Sequence, residues 1–240
     1  MTPRLFEIWV YLAASPLLWL TVTLLAYRAA YGIYRSSGMN PLANPVLLSV
    51  SFIVGVLLLT GTPYETYFDG AQFVHFLIGP TTVALAIPLY AQLGRLRSMF
   101  VPLTIALAVG SVTAIASAVA IGWAFGAANE TLLSLAPKSA TLPIAMGIAE
   151  KIGGLPSLTA VTVALTGVSG AIMATALLNL IRVRDYAVRG FAVGITAHGI
   201  GTARALQVSD EAGAFSALAM GLNGIATTLL LMLAVKLLGS

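Results

Sequence analysis

Long uncharged runs alternate along this chain with short clusters of arginine, glycine and proline. Residues 8–27, 46–60, 71–94, 98–129, 130–154, 155–181, 190–203 and 212–235 are predominantly apolar. Most reach the roughly 20 residues that a helix needs to cross a hydrocarbon layer about 30 Å thick. The run over 8–27 is predicted to span and to kink at Pro16. Arg28, Arg35, Gly38 and Pro41 mark a loop, and residues 61–70, with Pro63, Glu65 and Asp69, read as an exposed turn. Residues 98–129 contain one clear span, 155–181 form another that ends at RVRDYAVR (182–189), and 212–235 form the last. Ser209, Asp210 and Glu211 mark the start of that last helix.

Two runs are interrupted near their middles. In 71–94, Gly79 and Pro80 break the pattern and Thr81 and Thr82 follow at once. In 130–154, Pro137 and Pro143 enclose Lys138, Ser139 and Thr141. Each proline lacks a backbone donor, so a continuous helix is not expected at either place. A third run, GFAVGITAHGIGTA at 190–203, carries glycines 194, 199 and 201 around His198 and is expected to be an imperfect, closely packing helix.

Composition narrows the class. Of the 240 residues, 59% are hydrophobic and 8% charged, against about 25% charged in soluble domains. The chain therefore reads as one integral membrane domain, with its chemistry inside the bilayer. The net charge of +4 is scattered between apolar segments, which argues against nucleic acid as a partner. With no cysteine, disulfides, thiolate metal sites and cysteine nucleophiles are excluded. The two histidines, His75 and His198, lack ligand spacing, so no metal or cofactor is expected.

The segment GPTTVALAIP (79–88) aligns with APKSATLPIA (136–145) through Pro80 and Pro137, Leu85 and Leu142, and Ile87 and Ile144. Each leads into a turn and a long span. Paired interrupted segments of this kind point to the binding site of a secondary transporter. Two repeats are expected, over about 1–126 and 127–240. Charge bias distinguishes two topologies. If every run crosses, Arg28, Arg35, Arg95, Arg97 and Lys151 face Arg4, Arg182, Arg184, Arg189 and Lys236, which gives no preference. If 71–94 and 130–154 are hairpins that return to their own sides, Arg28, Arg35 and Lys151 stand against the other seven. That arrangement places the N-terminus in the cytoplasm and inverts the repeats.

The stretches GPTTVALAIPLY (79–90), PKSATLPIAMGIAEKIGGLPSLTAV (137–161), ITAHGIGTARALQ (195–207) and EAGAFSALAMGLNG (211–224) resemble the LrgB/CidB family, whose plant relatives are plastidic glycolate/glycerate translocators. The first 70 residues match only in hydrophobic character. Where a second hydroxyl is expected after Lys138 and Ser139, this chain has Ala140, which leaves Ser139 as the safer carry-over. The bacterial members imply a holin- or antiholin-like role in murein hydrolase export and autolysis, with a small LrgA/CidA-like membrane partner. The plant members imply carriage of small 2-hydroxy monocarboxylates.

Candidate site residues follow from these patterns. A cation at membrane depth is costly and usually functional, so Lys138 is read as the anchor for a substrate carboxylate; the alternative is a lysine snorkelling to the headgroups. Ser139, Thr141, Thr81, Thr82 and Thr202 offer hydroxyls, which otherwise bond back to their own helices. His198 is either a proton acceptor or a neutral hydrogen-bonding residue. Arg204 is a carboxylate ligand or an interfacial anchor, and Asn223 is helix glue or part of the site. Lys138 next to Ser139 does not read as a hydrolase dyad, because adjacent helical residues point about 100° apart; the chain is not expected to be an enzyme.

The expected protein is an all-α, polytopic membrane protein with inverted repeats, two broken or re-entrant helical hairpins and an elevator-like carrier architecture. It sits in the bacterial inner membrane as a homo-oligomer, most simply a dimer. Its expected work is alternating-access transport of a small monocarboxylate such as glycolate, glycerate, lactate or pyruvate, with H+ or Na+ as an undetermined coupling ion. The alternative is a holin- or antiholin-like regulator of murein hydrolases.

Overall fold

The computed structural model of the protein describes residues 15–238, all of whose regular elements are helical. Among the described residues, five stretches are long and apolar enough to cross a membrane: Pro16–Ser36, Tyr64–Ala91, Phe100–Ala124, Pro156–Leu180 and Asp210–Leu237. The chain is thus a multi-pass membrane protein. It divides into two compact units, one ending at Ala84 and the other starting at Leu85.

In the first unit, α1 (Pro16–Ser36), α2 (Pro45–Thr60), α3 (Tyr64–Phe76) and α4 (Ile78–Ala84) follow one another, with a short 3-10 turn at Pro41–Ala43. Residues 8–14 of the expected first span lie outside the described residues. Pro16 is the first residue of α1, a position that needs no backbone donor. Pro45 opens α2 in the same way, and the Asn44 side chain caps it by accepting from the Val46 and Leu47 amides at 2.9 and 3.2 Å. Gly61, in the left-handed conformation at φ 63°, closes α2.

The turn expected over 61–70 is confined to its first residues, because Tyr64 already begins α3. Aromatic packing explains the difference: Tyr67 meets the fully buried Trp19 edge-on at 5.9 Å, and Gly70 lets α3 approach the α1 backbone. The break expected at Gly79–Pro80 also falls elsewhere, at Leu77 and Leu85. Pro80 is the third residue of α4, a position whose amide has no acceptor within its own helix.

The second unit contains α5 (Ala86–Ala91), α6 (Leu93–Ser98), α7 (Phe100–Ala124), α8 (Asn129–Leu135), α9 (Leu142–Ile152), α10 (Pro156–Leu180), α11 (Tyr186–Val208) and α12 (Asp210–Leu238). The 25 residues of α7 and of α10 each measure about 37 Å at 1.5 Å per residue. Outward leucines such as Leu165 and Leu229 are at least 60% exposed, as expected of helices that face lipid.

Two segments reverse direction. Between α8 and α9, residues 136–141 form turns instead of helix. The chain comes back far enough for the Leu155 amide to donate to Ser134 Oγ at 2.7 Å, and Ala136 clusters with Ile148 and Ile152. The second reversal lies within α11. His198 has φ 39° and ψ −135°, which no helix accommodates. Beyond it, a Cβ on Gly201 would stand 2.8 Å from Val193 Cγ1, whereas eight residues of straight helix span about 12 Å. The expected imperfection in 190–203 is therefore a complete chain reversal at His198. The first arm runs alongside α12, with Gly190 against the Ala212 carbonyl and Gly194 against that of Ser216. The second arm returns past the same helix, with Thr202 against Ser216 and Leu206 against Gly213.

Candidate functional site

The prolines that break 130–154 put Lys138 and Ser139 on non-helical backbone. There they line a cavity of about 680 Å3 between α7, α10 and the first arm of α11. The rest of the wall includes Thr113, Ser117, Thr166, Ser169 and Thr196, among glycine, alanine, leucine and methionine side chains. Lys138 is half-buried and Ser139 is buried. The Lys138 ammonium donates to Ser139 Oγ across 3.4 Å, the long limit of a hydrogen bond. The two side chains were expected to point apart; the turn, lacking helical geometry, lets them meet. No carboxylate lines the cavity, and among the described residues the ion pairs shown both belong to Arg95. A half-buried ammonium with one long, neutral contact suits an anion as its further partner.

The wall hydroxyls differ in what they can offer. Thr196 Oγ1 already donates to the Ala192 carbonyl at 2.9 Å, and Ser117 Oγ to Ala114 at 3.3 Å. Both therefore present mainly acceptor lone pairs to the cavity. Lys138 is the cation among the lining residues, so an entering anion would be held through that ammonium.

Asn223 lies directly behind this wall and is fully buried. Its Nδ2 donates to the Ser139 carbonyl at 2.9 Å and to the Ile195 carbonyl at 3.1 Å. Its Oδ1 accepts from Ser111 Oγ at 2.7 Å. One amide thus joins both reversals to α7. The Ile195 carbonyl is among the last four of an arm that stops at His198, and such carbonyls lack helical partners.

His198 and Thr202 belong to a second buried network. His198 Nε2 lies 3.0 Å from the Val163 carbonyl, and the His198 carbonyl accepts from Thr202 Oγ1 at 2.8 Å. Thr202 Oγ1 is also 2.9 Å from Ser216 Oγ. A Cβ on Gly167 would lie 2.6 Å from His198 Cε1, so glycine makes room for the ring. These bonds hold a backbone conformation that is costly for a residue with a side chain.

The remaining candidates lie elsewhere. Thr141 precedes α9 and its carbonyl accepts from the Ala145 amide. Arg204 lines a separate void of about 30 Å3 near Arg189. Thr81 and Thr82 are exposed on α4 in the first unit, and Thr82 donates back to the Ile78 carbonyl at 2.7 Å.

Sequence reading missed Thr113, Ser117, Thr166, Ser169 and Thr196 as cavity residues. Spacing carried a signal: 113 and 117 are four apart and 166 and 169 three apart, which places each pair on one helix face.

A sequence model described as the LrgB-like family matches residues 23–237, well beyond the motifs between 79 and 224 that carry the resemblance. The chain is 36% identical over 208 residues to an uncharacterized protein, YwbG, of Bacillus subtilis, covering 87% of this chain and 92% of that one. It is 29% identical to the holin-like protein CidB of Staphylococcus epidermidis, covering 80% of this chain and 84% of that one. It is 27% identical to the antiholin-like protein LrgB of Bacillus mycoides, covering 94% of this chain and 98% of that one. No solved structure matches it.

Proposed function

Since the chain belongs to the LrgB-like family, we propose that it is a holin- or antiholin-like protein of the bacterial inner membrane that modulates murein hydrolase activity and autolysis. The observation that carries this reading is the coverage of the relatives bearing those names, which extends over most of this chain. A small LrgA/CidA-like membrane protein is its proposed partner, and a homodimer its proposed assembly. The test is expression in a bacterium lacking its own family members, with and without such a partner. Murein hydrolase activity in gels and the rate of autolysis should both change. Unchanged hydrolase and lysis at confirmed membrane expression would refute the proposal.

A second reading rests on the cavity. A lysine at a helix interruption, among hydroxyls and without a carboxylate, supports a carrier of small monocarboxylates built on inverted repeats and working by an elevator-like motion. The names of the relatives favour the first reading over this one. Saturable uptake of labelled glycolate or lactate by liposomes holding the purified chain would support the carrier. Equal leakage of large unrelated solutes would support a pore instead.

A further inference from the structure

The two chain reversals occupy opposite ends of the same long helices. On α12, Ala212 and Ser216 touch the first arm of 186–208, Asn223 touches both reversals, and Leu231 joins Ala136, Ile148 and Ile152 of the other. From Ala212 to Leu231 is about 29 Å of helix, close to the thickness of a hydrocarbon core. Helix α7 shows the same order: Leu103 packs with Phe191, Ser111 bonds Asn223, and Gly122 lies against Leu132 and Leu135. Helix α10 repeats it in reverse, with Thr159 at Ser134, Gly167 at His198, and Ala174 and Leu178 beside Val193 and Ala205.

We infer that residues 129–154 and 186–208 are re-entrant hairpins that enter the bilayer from opposite faces and meet at mid-depth on Asn223. The cavity is built at that meeting point, with Lys138 and Ser139 from one hairpin and Thr196 from the other. Arg95 ties down the base of the second hairpin by pairing with Asp185 before it and Glu211 after it. That pairing places both feet of 186–208 at one level. Arg95, Arg97, Arg182, Arg184 and Arg189 belong to this end of the unit, against Lys151 and Lys236 at the other, so the feet of 186–208 face the cytoplasm.

The chain has no cysteine, so single cysteines report without background. Glu130, Lys151, Arg184 and Asp210 are exposed and flank the two hairpins. Each is replaced by cysteine in the full-length protein and labelled in intact cells and in inside-out vesicles with a membrane-impermeant maleimide. Glu130→Cys and Lys151→Cys should label only from outside, and Arg184→Cys and Asp210→Cys only from the cytoplasmic side. Labelling of Arg184→Cys and Asp210→Cys from different faces would overturn the inference, since 186–208 would then cross the bilayer. Labelling of all four from one face would overturn it equally.

Discussion

Replacing Asn223 by leucine removes the amide on which both chain reversals converge. Leucine matches the side chain roughly in size, so the change tests hydrogen bonding more than volume. Three contacts are lost, at 2.9, 3.1 and 2.7 Å. Hydrogen bonds between membrane helices average about 0.6 kcal/mol, with a maximum near 1.7, and their sum alone gives roughly 2 kcal/mol. The Ser139 and Ile195 carbonyls and the Ser111 hydroxyl would also be left behind a fully buried side chain, where an unpaired polar group costs about 1–3 kcal/mol. The expected destabilisation is therefore about 2–5 kcal/mol. Titration of purified protein in mixed micelles with a denaturing detergent, followed by tryptophan fluorescence, measures it. Thr227→Val is the control, because its 3.5 Å contact with Asn223 is marginal and it should cost less than about 1 kcal/mol. If Asn223→Leu stays within about 0.5 kcal/mol of wild type, the amide does not hold the two reversals together.

Lys138→Met should abolish stabilisation of the purified protein by small carboxylates without unfolding it, a loss of about ten- to 150-fold in affinity for one charged hydrogen bond of roughly 1.5–3 kcal/mol. Thermal shift with glycolate and lactate checks this, and Lys138→Arg should also weaken binding because the planar guanidinium is larger. Gly190→Ala should destabilise by about 1–3 kcal/mol or more, since its Cβ would sit 2.1 Å from the Ala212 carbonyl. Gly147→Ala, with open space around it, should be neutral or stabilise by up to about 1 kcal/mol; the same detergent titration compares them. Arg95→Gln breaks two pairs whose side chains are 39% exposed on Arg95, 41% on Asp185 and 21% on Glu211. Its cost should stay near 1 kcal/mol at low salt and shrink at high salt.

Spans and interruptions differed in how far they could be read from sequence. The runs over 98–129, 155–181 and 212–235 became α7, α10 and α12 because uncharged length alone specifies a crossing helix. The break around Lys138 was legible because Pro137 and Pro143 remove donors on either side of it. Gly79–Pro80 carried the same kind of signal, and the helix is interrupted nearby at Leu77 and Leu85, with Pro80 itself in the first turn of α4, where a missing donor costs nothing. The hairpin at His198 was only half visible. Its glycines announced close packing, but the reversal depends on Val163, Ser216 and Gly167, which are distant in sequence. For the same reason Asn223 could be read only as a polar residue in need of partners, and not as the contact between Ser139 and Ile195.

The most direct test of the account joins the cavity to the proposed cellular role. Autolysis is followed in a bacterium without its own family members, expressing the small partner and either the wild-type chain or Lys138→Met at matched membrane levels. The account predicts that the wild type shifts the rate of autolysis and that Lys138→Met, folded and present, does not. An identical shift by both proteins would show that the Lys138 cavity is not the working site.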